Sequence, residues 1–132
     1  YETAIKPEEI LTELIVPLPS EGSRSVYTKF LPRTVDDYAT VGVAVTALVD
    51  GGAVQELSVA LGAVGATPIR AGAVETALVG QSATAANIAE AAQEVANIVD
   101  PLDDFRGSTQ YKTDMAVVFT RRALESALGL NE

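Results

Sequence analysis

The 132 residues are 48% hydrophobic and 20% charged, enough for one globular domain that buries about two-thirds of the surface its unfolded chain would expose. Cysteine and histidine are both absent, which excludes disulfides and thiolate chemistry and removes most hydrolase and zinc-site chemistries with the commonest general base. A formal charge of −9 and a pI near 4.4 disfavour nucleic acid and anionic membrane as partners, and no apolar run approaches a membrane span.

Residues 7–9, Pro-Glu-Glu, read as a turn before an apolar run at 10–16, which Pro17 and Pro19 bound. That pattern predicts a short strand at a sheet edge, because proline cannot continue a ladder. After the loop at 20–23, residues 24–31 alternate as a second strand, with Val26, Thr28 and Phe30 on one face and Ser25, Tyr27 and Lys29 on the other. A polar linker at 33–38 then leads into two apolar runs, 41–49 and 54–61, separated by Asp50-Gly51-Gly52. Turn residues between β-branched segments predict a hairpin, and the sheet should grow outward from it.

The register of this hairpin follows from which side chains must share a face. A two-residue Gly51-Gly52 turn would oppose Val45 to Ser58 and Val43 to Ala60, scattering large residues over both faces. A three-residue Asp50-Gly51-Gly52 loop with a glycine bulge opposes Val45 to Leu57, Val43 to Val59 and Val41 to Leu61, which makes one face wholly apolar. The other face then carries Gly42, Ala44, Thr46 and Leu48 beside Val54, Glu56, Ser58 and Ala60, a small-residue surface without ordinary surface charge.

Beyond Leu61, the glycines and proline of residues 62–68 end the strand and predict a loop with close backbone approach. The hydrophobic period then changes from two to 3.6. A short helix is expected at 71–79, with Val74 and Leu78 inward and Gly80 as its stop. Ser82 is expected to cap a second helix to about residue 99, with Ile88, Ala92, Val95 and Val99 facing the core. Gly107-Ser108 opens a last helix to about residue 128, in which Tyr111, Met115, Val118, Phe119 and Leu124 recur at helical spacing. Strands followed by helices predict a single α+β domain over 1–132, an antiparallel sheet of three to four strands with three helices on one face.

Candidate sites are few. The carboxylate pairs Asp36-Asp37 and Asp103-Asp104 suit turns and caps better than a metal, which needs several convergent oxygens. Arg24, Lys29 and Arg33 offer positive charge to an anion or, more simply, to the abundant acids of this chain. Arg106-Gly107-Ser108 before a helix offers main-chain N–H groups to an anion, or a plain N-cap with Arg106 held by Asp103 or Asp104. No nucleophile, base and orienting group can be assembled, so the chain is not a complete enzyme by itself. An enzyme built on Asp36, Asp37 and Lys29 is the weakest alternative.

Four stretches in series, KPEEILTELIVPLP, YTKFLPRTVDDYATVGVAV, DGGAVQELSVALGAVGATPIRA and VDPLDDFRGSTQYKTDMAVVFTRRAL, carry a resemblance. The chain resembles the C-terminal domain of the flavoprotein (medium) subunit of molybdenum hydroxylases, the family of aerobic carbon monoxide dehydrogenase and xanthine dehydrogenase. The resemblance implies a domain beside FAD in a subunit that relays electrons from iron–sulfur clusters to an acceptor. It also implies that the chain is the C-terminal third of a longer subunit whose N-terminal FAD-binding domains are its partners, together with iron–sulfur and molybdenum subunits. FAD then belongs to the full subunit, with none expected on this piece alone and no metal ligands here. By position, Ala47 and Leu48 resemble residues on the flavin side, and residues 62–70 resemble a loop near the isoalloxazine. A cytoplasmic location is the simpler expectation. The rival reading is a free-standing protein-interaction module that reuses the fold without a flavin role.

Overall fold

The computed structural model describes residues 3–31 and 38–130. Four strands form one antiparallel sheet in chain order: β1 (Arg24–Phe30), β2 (Val41–Asp50), β3 (Ala53–Gly62) and β4 (Ile69–Arg70). Three α-helices follow, α1 (Gly72–Leu78), α2 (Ala85–Gln93) and α3 (Thr109–Ala127), with a 3₁₀ turn at Glu94–Asn97 extending α2. All three helices cover the same face of the sheet, where Val41, Val43, Val45, Val59, Leu61, Val74, Leu78, Ile88 and Leu124 are fully buried. Burying each such aliphatic side chain stabilises the fold by about 1.5–3 kcal/mol.

The hairpin is where expected, but its turn is not. Gly51 and Gly52, with φ of 57° and 78°, form the two-residue tip, and Asp50 pairs with Ala53. Both positions need the left-handed region, which glycine enters without strain. The pairing then shifts between Leu48 and Val49, leaving Gln55 as one extra residue in β3. Beyond this bulge Val45 opposes Val59 and Val43 opposes Leu61, two residues away from the expected partners. A two-residue displacement preserves the face of every side chain, so the apolar face is as expected although its partners differ. Val54 is the exception. It lies before the bulge, where the alternation is reversed, and is fully buried in the core instead of lying on the small-residue face.

The run at 10–16 makes no ladder; the fourth strand is β4, two residues long and paired with Ala60 and Leu61. β4 is too short to leave a periodic signal. Its pairing is extended by Ala71 N–H donating to Val59 O at 2.9 Å, and by the Glu75 carboxylate accepting from Val59 N–H at 2.9 Å. Further along the same edge, Val54 N–H donates to Gln81 O and Gly80 N–H to Val54 O. Main chain and one carboxylate thereby take up outward groups of β3 at Val54 and Val59.

In the helical layer, α1 buries Val74 and Leu78 and stops before Gly80 at φ 81°, as the sequence predicts. The α2 cap is Thr84, whose hydroxyl accepts from Asn87 N–H, and not Ser82. Ser82 is held in a bridge to Ala53, and this pairing draws it onto the sheet edge and out of the helix. Ser108 caps α3 as expected, accepting from Tyr111 N–H. The buried stripe of α3 is Lys112, Ala116, Thr120, Ala123, Leu124 and Ala127. Tyr111 is exposed, and Met115 and Phe119 flank the stripe half-buried. Small side chains in the middle let α3 lie close to the sheet, and Phe119 reaches past its edge to stack on Phe30 of β1 with ring centroids 4.3 Å apart.

Candidate functional site

The sheet face turned away from the helices carries Ser25, Tyr27 and Lys29 from β1, Gly42, Ala44, Thr46 and Leu48 from β2, and Glu56, Ser58 and Ala60 from β3. Among the described residues no helix or strand packs over it, but the chain at 20–22 lies against its Leu48 and Glu56 end, where the Ser20 hydroxyl donates to Glu56 at 2.8 Å. Tyr27 lies across Gly42, where a Cβ would come within 3.1 Å of the phenol oxygen. The Ser25 and Thr46 hydroxyls are 3.0 Å apart. Next to them Ala44, Thr46, Ser58, Ala60, Arg70 and Glu75 wall a shallow groove of about 300 Å³. Its floor is flat and small-residued, and its one charged rim is Arg70 donating to Glu75 at 3.0 Å.

The two residues expected on a flavin side fall on opposite faces. Ala47 packs in the core under the helices, and Leu48 lies on the open face, half-exposed. A ligand on the open face can meet the side chain of Leu48, while Ala47 is confined to fixing its position. The loop after β3 is tightly folded: Ala63 has φ 66°, Val64 is fully buried, and a Cβ at Gly65 would come within 2.8 Å of Ile69 Cδ1. The close approach expected of residues 62–68 is thus to a side chain of the same chain.

At the other end of the sheet, Tyr38, Thr40, Ala63, Asp104, Arg106 and Lys112 line a second cleft, of about 410 Å³. Lys112 is 5% exposed and donates to Asp104 Oδ1 at 2.7 Å and to Leu102 O at 2.6 Å. Asp104 also accepts from Arg106 N–H at 2.7 Å, and its Oδ2 lies 3.6 Å from the Arg106 guanidinium. The hydrogen bond from Lys112, followed by that from Arg106 N–H, holds the Asp104 carboxyl below the ordinary range. Arg106 stacks over Phe105 and Tyr38, with its guanidinium carbon 4.5 and 5.4 Å from the ring centroids. Of the two expected partners of Arg106 it is therefore Asp104 that holds it. The cluster braces the segment that precedes α3. Arg24 and Lys29 are exposed on β1, while Arg33, Asp36 and Asp37 lie outside the described residues. Among the described residues no three acidic side chains converge as a metal site would require. No helix among them is long and apolar enough to cross a membrane.

The model of one protein family, the CO dehydrogenase flavoprotein C-terminal domain, matches residues 26–127. The chain belongs to that family. The carbon monoxide dehydrogenase medium chain of Afipia carboxidovorans is 38% identical over 127 residues, which are 96% of this chain and 44% of that one. The glyceraldehyde dehydrogenase medium chain of Sulfolobus acidocaldarius is 29% identical over 125 residues, 95% of this chain and 44% of that one. Among solved structures, the cyanide-inactivated Cu,Mo-CO dehydrogenase superposes with a TM-score of 0.91 at 36% identity, over 98% of this chain and 45% of that chain. The chain thus spans less than half the length of the relatives it matches. The fold of this flavoprotein family, a four-stranded antiparallel sheet with three helices, is the one described above.

For a flavin dinucleotide, the residues present fit one wall and not a whole site. Holding two phosphates calls for free main-chain N–H groups at a helix start or a glycine-rich loop. At α2 and α3 the Thr84 and Ser108 hydroxyls each take up one such N–H, of Asn87 and of Tyr111, and α1 is only seven residues long.

Proposed function

We propose that this chain is the C-terminal part of the FAD-carrying subunit of a molybdenum-hydroxylase-type oxidoreductase, where it walls one side of the flavin and gives neighbouring subunits a docking face. The observation that carries this reading is the family match over residues 26–127 in a chain that spans 44% of its relatives' length. FAD, held mainly by preceding domains, supplies the chemistry that passes electrons from iron–sulfur clusters to an acceptor. The residues of this chain perform no bond chemistry. Leu48 and the small side chains of β2 and β3 exclude water from one face of the ring, Ala47 fixes the position of Leu48, and the loop at 62–70 borders the isoalloxazine.

The test is a comparison of two polypeptides. FAD added to the 132-residue chain is expected to keep the fluorescence of free flavin. Co-expression with the preceding domains of the subunit is expected to give a yellow complex that retains FAD through gel filtration. Introducing Ala60→Trp on the open face should lower its flavin occupancy while leaving the melting temperature of the 132-residue chain unchanged. A complex that forms without flavin, or full occupancy in the tryptophan variant, would count against the reading.

A further inference from the structure

Residues 10–18 read Ile-Leu-Thr-Glu-Leu-Ile-Val-Pro-Leu, and every one of them is exposed. Ile10, Leu14, Ile15 and Leu18 are 84%, 81%, 82% and 93% exposed. Its upstream flank closes a local turn, and its downstream flank is tied to the sheet. Upstream, Glu9 N–H donates to Lys6 O at 3.0 Å and Lys6 N–H donates to the Glu9 carboxylate at 3.0 Å. Downstream, the Ser20 hydroxyl donates to the Glu56 carboxylate at 2.8 Å. Leaving six large aliphatic side chains in water forgoes about 1.5–3 kcal/mol for each that could be buried.

The pattern is that of a strand. In an extended chain Ile10, Thr12, Leu14 and Val16 share one face, and Leu11 and Ile15 flank Glu13 on the other. Pro17 and Pro19 lack the N–H needed to carry the ladder on, so the strand ends before the chain enters β1. The family model begins at residue 26, whereas similarity to the carbon monoxide dehydrogenase medium chain covers 96% of this chain. Similarity to that medium chain thus extends over the segment, which lies outside the match to the C-terminal domain family. The matched family domain is C-terminal, which places the remaining length of those relatives on the side from which this segment comes.

Resting on the proposed function, we infer that residues 10–16 are a β-strand of the preceding part of the subunit, adding to a sheet edge there and burying the Ile10, Leu14 and Val16 face. The occupant of this surface is thus a β-sheet of the same polypeptide. A second copy is a poorer fit, because each chain carries a formal charge of −9.

Amide hydrogen exchange in the full subunit and in the 132-residue chain tests this, with bound FAD read from absorbance in the same samples. The amides of residues 10–16 are expected to exchange about a hundredfold or more slowly in the full subunit than in the 132-residue chain. Leu14→Asp should return the full subunit to within about tenfold of free-chain rates, and should leave the unfolding midpoint of the shorter chain unmoved. Free-chain exchange in a full subunit that holds FAD overturns the inference and leaves the proposed function standing. Slow exchange in a full subunit without FAD upholds the inference and overturns the flavin reading. Slow exchange in the 132-residue chain that grows with its concentration assigns the segment to a second copy and overturns the inference.

Discussion

Lys112 places a positive charge in the first turns of α3, the end of a helix that repels it, and does so almost out of contact with water. Asp104 is what makes this tolerable: its carboxylate is 2.7 Å from the ammonium, the Arg106 N–H donates to it, and the Arg106 guanidinium lies 3.6 Å away. Because its carboxyl is held below the ordinary range, Asp104 stabilises the fold fully above the unfolded-state value, and that stabilisation disappears as pH falls through the lower folded-state value. Asp104→Asn is therefore expected to be less stable than the parent at pH 7, with the gap narrowing on acidification to about pH 3. Urea midpoints at the two pH values measure this, and an equal gap at both would show that the charge of Asp104 plays no part. The sequence showed Asp103-Asp104 and Arg106 as neighbours in a turn. It could not show that Lys112 closes the cluster, because a lysine on a helix ordinarily faces solvent.

At the scale of elements, local chemistry was legible where a residue acts on its own neighbours. Asp50-Gly51-Gly52 marked the hairpin, Gly80 the end of α1 and Ser108 the start of α3. It was not legible where an element is shaped by a distant partner. The Gln55 bulge has no composition signal, so Val54 was placed on the wrong face. β4 exists because Ile69 and Arg70 meet Leu61 and Ala60. Ser82 and Thr84 are both good caps by type, and the bridge from Ser82 to Ala53 decides between them. Thr84→Ala is accordingly expected to cost about 0.5–2 kcal/mol, while Ser82→Ala, whose main chain makes the bridge, should stay within about 0.5 kcal/mol. Thermal unfolding of the two variants separates them; equal losses would return the cap to Ser82. On the candidate site, the small residues of β2 and β3 were readable as one face from alternation alone, whereas the separation of Ala47 from Leu48 needed the sheet to be seen beside its helices.

Among the described residues the fold is held together from Ser20 onward, and its buried hydrophobic core begins at Val41. Deleting residues 3–19 should therefore shift the unfolding free energy by less than about 1 kcal/mol, since it keeps Ser20 on Glu56 and removes no buried side chain. It should also raise solubility, by removing the exposed aliphatic run. A large loss of stability on urea titration would mean that the segment packs on this domain after all. The two margins of the sheet are unlike in this respect. On the β3 side, β4, Ala71, the Glu75 carboxylate and the chain at Gly80 and Gln81 take up main-chain groups that a foreign strand would otherwise pair with. The sheet is thus a strip hemmed along the selvedge at β3, where a chain that tried to join would find those stitches already taken.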